Sequence, residues 1–250
     1  CIMRSKSQCV FCDSKKKCQR NSRRRAWLPH RRHSLRLGVS DPAMGPRLEG
    51  RLMTQLQIIS VNVGQPRILR HAGTKPIYSS IAKQPVVGDS VLLTHTNLAG
   101  DQQVDTKPKP DGRQLHGGNA KAVYVYPFEH YDSWFREIGT LFPVPSFGEN
   151  ITLEGITEEE VRVGDIWHWG AAELVVASRR QPCHKLRSHL RIEDIESRMW
   201  QNGACGWYMR VTTPGIVPTC GKIKITHTES SAASIADVFR EKRAARTRPT

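Results

Sequence analysis

Between residues 56 and 227 short apolar runs alternate with Gly, Pro and Asp. The runs are LQIISVNV (56–63), VVGDSVLLTH (86–95), KAVYVY (121–126), VRVGDIWHW (161–169), ELVVAS (173–178), GWYMRVT (206–212) and KIKITH (222–227). Each predicts a short strand, because β-branched and aromatic side chains suit a pleated surface and the punctuating residues suit turns. Val-Gly-Asp occurs twice, at 87–89 and 163–165, and its Gly supplies the positive φ of a tight turn. Strands so short and so numerous cannot bury a one-sided sheet well. The pattern therefore predicts a closed or strongly curved barrel.

Three segments switch to helical spacing. In PFEHYDSWFREIGTLF (127–142), Pro127 sits at an expected first helical position, and Phe128, Tyr131, Phe135 and Ile138 form one stripe. In RIEDIESRMWQNG (191–203), Ile192, Ile195 and Met199 align, with Gly203 as the stop. In SSAASIADVFREKRAA (230–245), Ile235, Val238 and Phe239 do the same. The expected class is mainly β with α: a barrel with a few covering helices.

The net charge of +15 suggests nucleic acid until it is located. Residues 1–52 hold 14 Lys/Arg against 3 Asp/Glu, residues 239–250 hold 5 against 1, and residues 53–238 hold 19 of each. The folded part thus carries no net field to steer a polyanion, and nucleic-acid binding by it is not expected. Residues 1–52 read as a disordered basic tail or upstream extension. Met53, immediately before the first strand, is the expected natural start, with an organelle transit peptide as the alternative. Cys9 and Cys12 form a C-x-x-C pair without the second half of a zinc site. The expected division is 1–52 tail, 53–228 barrel domain, and 229–250 C-terminal helix and basic tail. No run approaches a membrane span. The sparse, odd cysteines of the body (Cys183, Cys205, Cys220) suggest a reducing, cytoplasmic setting.

Candidate chemistry lies in three places. SRRQPCHKL (178–186) sets Cys183 among Arg179, Arg180, His184 and Lys185, behind Pro182. Nearby cations favour a thiolate, and the arginines suit a phosphate. LHGGN (115–119) puts Gly117 and Gly118 after His116, ahead of Asn119 and Lys121. Backbone N–H groups at paired glycines can approach an anion, although taken alone the stretch is better read as an ordinary glycine turn. PSFGENITLEG (145–155) offers Gly148, Glu149 and Asn150, or simply a solvated loop into a strand. The G-x-S-x-G, G-x-x-x-x-G-K-[ST] and G-x-G-x-x-G signatures do not occur. A Cys/His hydrolase using Cys183 and His116 leaves the arginines unexplained. Cys205 and Cys220 have no cationic neighbours in sequence and read as structural.

Six stretches in order, SSIAK (79–83), LAGDQQ (98–103), LHGG (115–118), FGENI (147–151), VGDIWHWG (163–170) and RRQPCHKL (179–186), together resemble the MOSC domain. That domain is named for the C-terminal domain of molybdenum cofactor sulfurases. Within the family the chain is most similar to the YiiM-type proteins linked to resistance against N-hydroxylated base analogues. The resemblance implies a MOSC-type β-barrel and a molybdenum–pterin cofactor, with Cys183 as a thiolate ligand of the metal. It further implies reduction of N-hydroxylated compounds, with Lys83, His116 and Lys185 as candidates for acting on the departing oxygen. Arg179, Arg180 and the backbone at Gly117–Gly118 would meet the cofactor phosphate, and an electron-donor protein is the expected partner. A cofactor or sulfur carrier without turnover is the competing implication. The chain departs from the bacterial relatives in two ways. It has only about twenty residues after the barrel where they carry a helical domain, and VDTKPKPDGRQ (104–114) lengthens the loop before His116.

Overall fold

A computed structural model describes residues 55–72, 75–107, 110 and 116–247; the expectations for 1–52 lie outside these. The strands are β1 (Gln55–Val63), β2 (Arg67–Ala72), β3 (Lys75–Ser79), β4 (Gln84–Pro85), β5 (Ser90–Leu93), β6 (Val123–Pro127), β7 (Ile151–Glu154), β8 (Ile166–Trp169), β9 (Ala172–Arg179), β10 (Trp207–Thr213), β11 (Gly215–Pro218) and β12 (Gly221–His227). The helices are α1 (Glu129–Ile138), α2 (His184–Leu190), α3 (Ile195–Asn202) and α4 (Ile235–Thr247).

Seven strands close a barrel in the order β12-β8-β9-β10-β6-β7-β1, with β1 returning to β12 and β4 added on β1. Every pairing in the ring is antiparallel except β6 with β7. Closure removes the free edges that such short strands would otherwise expose. Side chains alternate across each strand. Val123, Val125, Trp207 and Met209 thus point inward to a core that includes Trp167 and Trp169. Tyr124, Tyr126 and Tyr208 point outward, beneath helices. The outer face of β6 and β10 consequently has its own apolar cover, built with Trp134, Phe147, Leu186, Ile195 and Met199.

Several sequence expectations need correction. Pro127 ends β6 and does not open the helix. On α1 the buried residues are Tyr131 and Trp134, while Phe135 is half exposed. Phe128 and Ile138 pack partly buried beside them as expected, and the Trp134 indole finds a buried partner in the Tyr126 hydroxyl at 2.7 Å. The hairpin β2–β3 and strand β11 lie where no strand was predicted, and α2 starts directly after Cys183. Gly203 does stop α3, in the left-handed region, with its N–H bonded to the Met199 carbonyl. Gly206 has a sharper requirement. Its φ is +67°, and a Cβ there would lie 2.2 Å from the Val125 carbonyl oxygen, so only glycine lets β10 begin this close to β6.

Candidate active site

The strand β9 runs past its own end through Arg180, whose N–H donates to the Gly206 carbonyl at 3.1 Å. Pro182 is buried and Cys183 is half buried, in extended backbone (φ −145°, ψ 163°) as the residue capping α2. The Cys183 side chain makes no capping hydrogen bond. Its thiol therefore does not hold the helix.

Adjacent residues of a strand face opposite ways, and the two arginines obey this. Arg180 is buried and lies 5.1 Å over the Tyr124 ring, with Nη1 donating weakly to the Met199 sulfur at 3.8 Å. Tyr124 and Tyr208 are directly paired residues of β6 and β10, with ring centroids 5.4 Å apart. Arg180 interacts with both phenols and with Cys183. Burial of a guanidinium is costly without an anion, yet among the described residues no carboxylate pairs with it. Arg179 faces away, stacked on Trp200 and Phe239 at 5.4 and 5.5 Å. The expectation that both arginines serve one phosphate is corrected: only Arg180 belongs with Cys183.

His116 joins this group. Burial and then Lys185 push its pKa down to about 4, opposed by Asp105, with Lys121 and Arg180 adding smaller downward effects. Lys185, on α2, is buried and ion-paired with Asp105. Lys121 lies 6.0 Å over the Tyr208 ring, and burial lowers its pKa. Three cations thus surround one imidazole, and one of them, Arg180, also interacts with the half-buried Cys183. At neutral pH His116 is uncharged, so in the free protein it can accept a proton or donate its one N–H, but it holds no extra proton to deliver.

A stability effect follows from the sign of this shift. His116 has a folded pKa below its unfolded value near 6.5, so the unfolded chain binds more protons between the two. Its contribution is fully present above about pH 6.5 and is lost as pH falls toward 4. Chemical denaturation from pH 4 to 7 should show stability rising with pH, and His116→Gln should flatten that rise. An unchanged slope in the variant would show the imidazole free to titrate.

At the paired glycines one backbone N–H is already used within the loop. The Gly118 N–H donates to Gln103 Oε1 at 2.7 Å, and a Cβ at Gly117 would strike that same oxygen. Asn119 is exposed, in a single 3-10 turn with Lys121.

Lys83, Asn150 and Glu149 also leave their expected roles. Lys83 is buried and ion-paired with Asp101. Asp101 Oδ1 accepts from the Gly64 N–H at 2.7 Å and Oδ2 from Asn150 Nδ2 at 2.9 Å. Asn150 Oδ1 accepts from the Tyr124 N–H at 3.1 Å, which ties the network to β6. Burial lowers the Lys83 pKa, opposed by Asp101. Lys83 is therefore a buried strut, not an exposed acid. Glu149 is fully buried, accepting from Tyr131, the Phe147 N–H and Thr152. Burial raises its pKa. It folds the 145–150 turn, in which Gly148 (φ +84°) packs where a Cβ would meet Ile81.

Sequence reasoning gave no role to Asp101, Gln103, Asp105, Tyr124 or Tyr208. The first two stand within LAGDQQ, one of the six stretches, so their motif was visible although their partners were not.

Among the described residues no three His, Cys, Asp or Glu side chains gather as a metal site. A metal here would need most of its ligands from a cofactor. One half-exposed thiol beside an unpaired buried guanidinium fits such a group, offering a soft ligand and a cation for its anionic part. No helix among the described residues is long and apolar enough to cross a membrane.

Comparison with known proteins agrees with this architecture. A MOSC domain profile matches residues 112–224. Protein YiiM of Escherichia coli is 38% identical over 184 residues, covering 70% of this chain and 78% of YiiM. A protein of Gibberella moniliformis named "Reductase" is 32% identical over 162 residues, covering 63% of this chain and 27% of that protein. The crystal structure of YiiM from Geobacillus stearothermophilus superposes with a TM-score of 0.59 at 29% identity, covering 77% of this chain and 86% of the other. The chain belongs to the MOSC-domain family, among the relatives of YiiM.

Proposed function

We propose that this protein binds the molybdenum–pterin cofactor through Cys183 and reduces N-hydroxylated compounds. The observation that carries this reading is the pairing of Cys183 with Arg180, a thiol beside a buried cation that no described carboxylate neutralises. The name of the Gibberella relative agrees with redox chemistry. When bound, the cofactor supplies a metal that accepts the substrate oxygen in a two-electron reduction. The overall balance is R–NH–OH + 2 e⁻ + 2 H⁺ → R–NH₂ + H₂O, with the electrons from a donor protein.

The chain's own residues bind, orient and move protons. Cys183 offers its sulfur to the metal, where coordination deprotonates a thiol outright. Arg180, held against the Tyr124 ring, would meet the negative charge of the cofactor. Lys185, ion-paired with Asp105, would offer a proton beside His116. The neutral imidazole accepts that proton or hydrogen-bonds the substrate oxygen, and anionic charge brought in by the cofactor raises its basicity.

The test is to purify the protein from a molybdenum-replete host and to assay N-hydroxylaminopurine reduction with a chemical reductant. Turnover is the expected result. Bound cofactor without turnover would replace this reading with that of a carrier, and neither cofactor nor turnover would remove both.

A further inference from the structure

Arg179, freed from the thiol site, stands at a second feature of the surface. A cleft of about 300 Å³ is lined by Gln181, Trp200, Lys242, Ala245 and Arg246, where α3 meets α4. Trp200 stacks on Phe239 at 4.9 Å, the Arg246 guanidinium lies 4.9 Å from its ring centre, and Arg179 lies behind it at 5.4 Å. Arg179 Nη1 is buried without a hydrogen-bond partner.

The charges here are unbalanced. Arg240 on the same helix pairs with Glu159 and Asp237, and Arg198 on α3 pairs with Asp194 and Glu137. Among the described residues no carboxylate pairs with Arg179, Lys242 or Arg246. Lys242 and Arg246 line the recess and Arg179 packs against its Trp200 wall, so three cations from two separate segments lie around it with no described carboxylate paired to them. An orphaned buried donor is costly. An anion held by Lys242 and Arg246 would balance the charge of this region.

We propose that this cleft binds the phosphate group of a small phosphorylated molecule. The Arg246 guanidinium, the Lys242 ammonium and the Gln181 amide that line the cleft can supply more donors than a single carboxylate accepts, and a phosphate dianion can use more of them. The volume sits at the small end of ligand pockets, which favours a compact group over a protein surface. The cleft does not depend on the redox reading, because Arg179 and Arg180 leave β9 on opposite faces.

The test is calorimetric titration of the full chain with inorganic phosphate and with pyrophosphate at fixed ionic strength. Saturable binding is expected, weakened about tenfold or more in Lys242→Gln/Arg246→Gln and unchanged in Cys183→Ser. Near-ultraviolet circular dichroism of the double variant checks that its tertiary packing is intact. Affinity unaffected by the double substitution, or lost in Cys183→Ser, would overturn the proposal. So would binding of an acidic peptide with no binding of either phosphate.

Discussion

Cys183→Ser should lose N-hydroxylaminopurine reduction by on the order of 10³-fold, about 4 kcal/mol of transition-state stabilisation, while folding as stably as the parent. A hydroxyl is a poor substitute for a soft thiolate toward molybdenum. It is, however, a better helix cap than a thiol. Cys183 caps α2 without any side-chain hydrogen bond, and serine at that position can add up to about 1 kcal/mol. The variant should therefore unfold at an equal or slightly higher denaturant concentration and show almost no turnover. Loss of both stability and activity would instead make Cys183 a packing residue, and full activity in the variant would remove it from the chemistry. Arg180 would then keep its buried charge with no ligand to explain it.

Asp101→Ala should cost about 3–5 kcal/mol of folding stability, the penalty of removing one partner from a buried ion pair. Three donors lose their acceptor at once: Lys83, the Gly64 N–H and Asn150 Nδ2. These belong to three separate stretches, joined here beneath β6. Lys83→Met/Asp101→Leu should be less destabilised than Asp101→Ala, because it leaves no uncompensated charge. Urea unfolding of the three proteins measures this, and a loss below about 1 kcal/mol in Asp101→Ala would show the network to be solvated. The effect should reach the site. Asp101 and Asp105 share one loop, and Asp105 fixes Lys185 beside His116.

How far the sequence foretells this can be read from particular residues. The barrel strands are legible because short runs of β-branched and aromatic residues are bounded by turn residues. Strand β9 is an example: ELVVAS lies wholly inside it. The α1 stripe is read correctly at Phe128, Tyr131 and Ile138, but it takes the exposed Phe135 in place of the buried Trp134. The contrast between Arg179 and Arg180 follows from the two-residue period of strands, yet as neighbours in a basic motif they read as one phosphate clamp. Glu149, Lys83 and Gly118 carry chemistry-bearing groups whose partners lie 15 to 18 residues away or turn inward, so sequence alone offered a ligand where the fold supplies a protein acceptor or donor. The pairing of Lys185 with Asp105 spans 80 residues. No local pattern encodes it.

The central claim is that the sulfur of residue 183 is bonded to a metal carried by a pterin. The most direct measurement is molybdenum X-ray absorption on the protein isolated from a molybdenum-replete host, beside the same experiment on Cys183→Ser. The account predicts near-stoichiometric molybdenum in the parent with one sulfur neighbour more than in the variant. Molybdenum with an identical sulfur shell in both proteins, or parent protein isolated without molybdenum from cells that load other molybdenum enzymes, would contradict it.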